Sequence, residues 1–198
     1  MKNKKSIQKG QNTIEQSICV SEFIEKINKL SYKDFPVEEI IKVLQTHPIS
    51  IECLEPYTFY SDARYTRNLI YKSQNQDFEI MLMCWNSKQH SAIHGHEGHK
   101  SWLKIIHGTL EITNYQEEPK TSSSLLKKIN VQTGKRGLVD VLSTIHSVIN
   151  NSNQVALSIH IYAPPLTQCN IYDLGTNEVK KLTFGYHSIH GKLVALEK

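Results

Sequence analysis

Residues 94–115 read HGHEGHKSWLKIIHGTLEITNY. Two short runs rich in β-branched and aromatic residues, Trp102–His107 and Thr109–Tyr115, flank a His107-Gly108 turn, the local pattern of successive strands. The same pattern extends outward from about residue 57, giving strands at Asn68–Lys72, Phe78–Trp85, Val139–Leu142, Val155–Ala163, Asn170–Leu174 and Val179–Tyr186. Turn residues separate them at Asn75-Gln76-Asp77, Thr133-Gly134, Asn150-Asn151-Ser152-Asn153 and Gly175-Thr176-Asn177. Many short strands at this spacing predict a mainly β barrel or jelly roll. The polar stretch Gln116–Ser124, which contains Pro119, is expected as a surface loop between the two halves of the barrel.

Ahead of the strands the period changes to that of helices. Phe23, Ile24, Ile27 and Leu30 repeat at helical spacing behind Ser21, a good N-cap, and predict a first amphipathic helix near 21–30. Val37, Ile40, Ile41 and Leu44 form a second apolar stripe behind Pro36, which suits a first-turn position. The 198 residues suffice for one domain spanning 1–198, with a helical part at about 15–50 and a β-barrel at about 57–190.

Composition narrows the function classes. The net charge of +4 has only one dense cluster, Lys2, Lys4, Lys5 and Lys9, so nucleic acid is not an expected partner. No stretch approaches the roughly 20 apolar residues of a membrane span, and the start lacks the apolar run of a signal peptide; a cytoplasmic, membrane-free protein is expected. Cys19, Cys53, Cys84 and Cys169 are widely spaced and read as reduced thiols, with Cys84 buried in the run Met81–Trp85.

The chemistry starts at His94 and His96. On an extended segment, side chains one residue apart point to the same face, so a metal can sit between the two imidazoles. His146, about 50 residues later, can return on an adjacent strand to close one face of a coordination sphere and leave other positions open. His90, His99 and His107 are expected to lie outside this set. In Ser158-Ile159-His160-Ile161-Tyr162 the polar side chains share one face of a strand that its isoleucines mark as buried. Such groups must find partners, because an unpaired buried polar group costs about 1–3 kcal/mol. Tyr65 and Arg67 also share a face if extended, and an arginine fork suits a carboxylate.

In combination, these motifs resemble the cysteine dioxygenases of the cupin superfamily. The resemblance rests on Arg64-Tyr65-Thr66-Arg67-Asn68, Met83-Cys84-Trp85, His94-x-His96 with Leu103-Lys104 and Gly108, His146-x-x-x-Asn150, and Ser158 through Pro165. It runs from about Tyr65 to Ser188 and weakly through the N-terminal helices, so it covers most of the chain, and it implies a cupin double-stranded β-helix with N-terminal α-helices packed outside. It also implies one iron(II) per chain, Fe(2+) held by His94, His96 and His146, without a carboxylate ligand, since Ser101 stands where other cupins place a glutamate. By the same resemblance, L-cysteine would bind iron through sulfur and amine, with Arg67 holding its carboxylate and Tyr65 supporting that clamp. Ser158, His160 and Tyr162 would form an outer-sphere relay, and dioxygen would convert the thiol to cysteine sulfinic acid, a step of cysteine catabolism toward sulfinate and taurine. Animal members carry a cysteine at the position of Ser101, thioether-linked to the tyrosine matching Tyr162; serine excludes that crosslink. The family further implies a cis Ala163–Pro164 peptide and places Cys169 near the site entrance, without an assigned role. The expected protein is a monomer. The competing readings are a dioxygenase for 3-mercaptopropionate or another small thiol, a non-catalytic metal-binding cupin sensor, and a zinc hydrolase.

Overall fold

The computed structural model describes residues 17–119, 125–142 and 145–194. The two expected helices are Val20–Ser31 (α1) and Val37–Thr46 (α2), followed by a single turn, Ile51–Leu54 (α3). Their apolar stripes are the buried faces: Phe23, Ile27 and Leu30 of α1, Ile40 and Leu44 of α2. Two caps differ from expectation. Ser21 lies inside α1, whose N-cap is Cys19, and Pro36 is the N-cap of α2 rather than a first-turn residue.

Among the described residues the strands, in chain order, are β1 (Thr66–Lys72), β2 (Glu79–Trp85), β3 (Ile93–His94), β4 (Lys100–His107), β5 (Thr109–Glu117), β6 (Leu126–Lys135) and β7 (Val139–Val141). They continue with β8 (Ile145–Ile149), β9 (Ala156–Ala163), β10 (Gln168–Asp173), β11 (Glu178–Thr183), β12 (Ser188–Ile189) and β13 (Lys192–Leu193). One sheet has the order β13-β12-β1-β2-β9-β4-β7 and the other β11-β10-β3-β8-β5-β6. Sequence-distant strands lie side by side, β9 between β2 and β4, which is the jelly-roll winding of a cupin double-stranded β-helix.

The period of two decides which side chains reach the barrel interior. In β2, Ile80, Leu82 and Cys84 join Phe23, Ile27, Ile40 and Leu44 in a core between sheet and helices. The alternate residues Met81, Met83 and Trp85 join Leu103, Ile105, Leu110 and Ile112 in a second core inside the barrel. The helices therefore pack outside, and all of β9 is buried because it is covered on both faces. Truncating a side chain there, such as Ile159→Ala, costs about 2–5 kcal/mol by cavity formation.

The eight strands expected from sequence are present, with ends shifted by a few residues. Leu126–Lys135 was not among them because it is polar and almost wholly exposed along its length, so no apolar alternation marks it. Thr133-Gly134 is not a turn but part of this strand, with Gly134 opposite Leu110. A Cβ at Gly134 would meet the Leu138 side chain, which would have to shift to make room. Gln116–Ser124 is likewise no link between two halves: β5 pairs with β6 from Glu117↔Leu126, making the stretch a hairpin connection within one sheet. Its residues 120–124 lie outside the described residues. Gly108 does form the expected turn, at φ +73°, and a Cβ there would lie 2.5 Å from the Val155 carbonyl oxygen.

The four cysteines are free thiols, and burial pushes Cys84 up to about 11, so it is an inert core group. No helix among the described residues is long and apolar enough to cross a membrane.

Candidate active site

Three histidines from neighbouring strands meet inside the barrel. His94 ends β3 and pairs in register with His146 of β8, while His96 follows two residues on. The three rings lie 4.5 to 5.2 Å apart between centroids, and one nitrogen from each falls within 4.8 Å of the others. All three side chains are buried.

Their surroundings prepare them to be ligands. The His94 Nδ1 lies 2.9 Å from the Ala92 carbonyl oxygen, and the His96 Nδ1 lies 2.8 Å from that of Leu142. A carbonyl oxygen only accepts, so in each ring the proton sits on Nδ1 and the Nε2 lone pair is left for a metal. His96 Nε2 is buried without a protein partner, the gap that a metal fills. Burial, with the nearby Arg67 charge, lowers His94 to about 4; burial and its neighbour His94 lower His96 to about 3. Both are neutral near pH 7, as coordination requires. His90 and His107 are exposed, and His99 reaches the Pro164 carbonyl oxygen instead.

Strand alternation turns the second group of predicted residues inward, with His160 and Tyr162 reaching the cavity that His94 and His146 line. Ser158, His160 and Tyr162 project inward from β9 as a hydrogen-bonded chain: Ser158 Oγ lies 2.9 Å from His160 Nε2, and Tyr162 Oη 3.2 Å from His160 Nδ1. The Trp85 indole N–H donates to Ser158 Oγ at 3.0 Å, so Trp85 is more than the core residue its sequence context suggests. Burial holds His160 well below its ordinary value and pushes the Tyr162 phenol up. Tyr65, half-buried just before β1, stacks on Trp85 at 4.4 Å. Tyr65, Arg67, Trp85, His94, His146, His160 and Tyr162 line one narrow cavity that opens to solvent.

Arg67, buried in β1, enters this cavity held from two sides. Its Nη2 donates to the Leu166 carbonyl at 3.0 Å, and its guanidinium lies 4.2 Å from the Phe184 ring centre. Its Nε is buried without a protein partner, leaving a cationic donor for an anionic ligand. Three contributors escaped the sequence reading. Glu79 pairs with Arg67 at 3.7 Å, and Phe184 and Tyr186 come from the expected strand Val179–Tyr186, which in fact stops at Thr183. The signal for Glu79 was present: a carboxylate in the apolar run Phe78–Trp85, in phase with the inward-facing Met81 and Met83.

The family model described as cysteine dioxygenase type I matches residues 11–175 of the chain. The chain belongs to that family. It is 30% identical over 158 residues to cysteine dioxygenase type 1 of Rattus norvegicus, a match covering 78% of each chain. It is 25% identical over 181 residues to cysteine dioxygenase type 1 of Danio rerio, covering 88% of this chain and 90% of the relative. Among solved structures, it is similar to a double-stranded β-helix protein from Klebsiella pneumoniae, at 14% identity and a TM-score of 0.46, over 66% of this chain and 87% of that one.

In this cysteine dioxygenase family member, Ser101 of β4 sits directly opposite Tyr162 of β9. Its hydroxyl donates to the Leu142 carbonyl at 2.5 Å and accepts from His96 Nδ1, so the serine helps to orient that imidazole. The Ala163–Pro164 peptide is cis, as the resemblance implies. Cys169 is buried, and burial pushes its thiol up to about 12.

Proposed function

We propose that this protein is an iron(II)-dependent dioxygenase that converts L-cysteine and dioxygen to cysteine sulfinic acid. The reading is carried by the Arg67 guanidinium, with a buried and unpartnered Nε, in one cavity with imidazoles of a three-histidine cluster. That pairing of groups suits a small ligand that carries a thiol for the metal and a carboxylate for the arginine. Iron(II), when bound by His94, His96 and His146, supplies open coordination sites for a thiolate and for dioxygen. With neutral imidazoles and no carboxylate ligand, the site favours an anionic sulfur.

The remaining residues act around that centre. Arg67 holds the substrate carboxylate, and Tyr65, fixed by its stack on Trp85 in the same cavity lining, supports that clamp. Trp85 can only donate to Ser158. With the Ser158 hydroxyl donating to His160 Nε2, the neutral imidazole carries its proton on Nδ1 and donates it to the Tyr162 oxygen, so the phenol O–H is left to point to the reacting atoms. Tyr162 works as an unmodified phenol, because a serine opposite it cannot form a thioether. The chain acts as a single cupin domain and a cytoplasmic monomer, without nucleic-acid or membrane partners.

The test is metal analysis of anaerobically purified protein, followed by oxygen uptake with L-cysteine and with 3-mercaptopropionate. The proposal expects iron-dependent uptake and at least tenfold higher kcat/KM for cysteine, about 1.4 kcal/mol in the transition state. A preference for 3-mercaptopropionate would assign the site to that thiol. Absence of iron together with no turnover after adding iron(II) would leave a metal-binding module.

A further inference from the structure

Beside the arginine lies a fully buried carboxylate. Glu79 opens β2 in the inward phase and is fully buried. Its Oε1 accepts the Leu166 N–H at 3.0 Å and lies 3.7 Å from Arg67 Nη2; its Oε2 accepts the Tyr186 hydroxyl at 2.5 Å. Arg67 Nη2 in turn donates to the carbonyl of the same Leu166. Glu79 thus holds both the guanidinium and the residue whose carbonyl accepts from it. The C-terminal segment completes the enclosure: Phe184 lies against the guanidinium, and the His187 N–H donates to the Arg67 carbonyl at 2.8 Å. Burying a carboxylate is costly unless it is paired and hydrogen-bonded, so a fold that keeps one here is using it.

We propose that Glu79 and Tyr186 are positioning residues for Arg67: they hold the guanidinium by Nη2 so that its unpartnered Nε remains aimed at a ligand carboxylate. This rests on the reading of Arg67 as the carboxylate clamp. Arginine has a long side chain with many rotamers, and a fork held in advance loses less freedom when it meets its ligand. The pairing also offsets the guanidinium charge, so that a single carboxylate can bind and leave. The residue class that reads the substrate is therefore larger than the group that touches it. It includes a β2 carboxylate and a phenol from the far end of the chain.

The experiment uses the iron-loaded full chain and compares L-cysteine with cysteamine, which has the thiol and amine but no carboxylate. KM and kcat are measured for both, with anaerobic calorimetric titration of each thiol into the holoenzyme. Glu79→Ala should weaken cysteine binding and raise its KM by about tenfold or more while leaving cysteamine within about twofold and kcat little changed. Glu79→Gln keeps an oxygen for the Leu166 N–H and should restore cysteine KM to within about threefold of the parent. Tyr186→Phe, which removes one hydrogen bond from the carboxylate, should raise cysteine KM by about threefold and covers the case in which Glu79→Ala does not fold. Equal losses for both thiols, or unchanged cysteine KM in Glu79→Ala and Tyr186→Phe, would overturn the proposal. The clamp reading fails separately: there Arg67→Ala itself leaves the cysteine-to-cysteamine ratio unchanged. If the clamp holds, Glu79→Ala in an Arg67→Ala background should add no further loss for cysteine.

Discussion

Replacing Arg67 with alanine is the most informative single perturbation, because its effect can be worked out bond by bond. The guanidinium has a buried, unpartnered Nε, while Nη2 is already engaged by the Leu166 carbonyl and Glu79. A hydrogen bond to a charged group contributes about 1.5–3 kcal/mol, and a two-point hold on a carboxylate would reach about 4 kcal/mol in an enclosed site. The cavity opens to solvent, which lowers the expected loss to about 3 kcal/mol, or about 150-fold in kcat/KM for L-cysteine. Cysteamine lacks the carboxylate, so its kcat/KM should change by less than about threefold. The assay is oxygen consumption at varied thiol concentration, with iron content measured on the same samples. Removing Arg67 also strands Glu79, so thermal unfolding must accompany the kinetics; a lower Tm with full iron content is expected. A variant that loses cysteine and cysteamine activity in equal measure would refute the carboxylate clamp, since the arginine would then serve the fold or the metal.

Other outcomes follow from the same geometry. Ser101→Ala removes a hydrogen-bond partner of His96 and should weaken iron binding about tenfold, read by competition with a chelator. Ser101→Cys places a thiol opposite Tyr162, and an intact mass lower by two hydrogens after turnover would report a new thioether. Tyr162→Phe should lower kcat about 10²-fold with iron content unchanged, whereas an unaltered kcat would remove the phenol from the chemistry. In the metal-free protein His94 and His96 are held down to about 4 and 3, so the unfolded chain binds more protons as pH falls through the ordinary value of 6.5. Stability is therefore complete above that value and should fall by about 2 kcal/mol per histidine between pH 7 and pH 5, measured by urea unfolding; a flat profile would contradict their burial as neutral groups.

How far the sequence could be read depended on whether the signal was local. β2 was legible because burial on both faces makes it a near-continuous apolar run, and β9 because its isoleucines alternate with the polar Ser158, His160 and Tyr162. The metal cluster was legible for the same reason, with two ligands one residue apart and the third on the strand paired with them. β6 was hidden because both its faces meet solvent, and the two-residue β3, β12 and β13 are too short to show any period. Glu79, Phe184 and Tyr186 escaped for a different reason. The phase of β2 marks Glu79 as inward-facing, but its partners become visible only once the Leu166 loop and the C-terminal segment have folded back over β1, contacts spanning up to 107 residues.

The central claim is dioxygenation of cysteine sulfur at the three-histidine site, and isotopic labelling tests it most directly. Iron-loaded protein turned over with L-cysteine under ¹⁸O₂ should give cysteine sulfinic acid carrying two labelled oxygens, with one sulfinate formed per dioxygen consumed. Cystine as the main product, or sulfinate with oxygen drawn from water, would contradict the account.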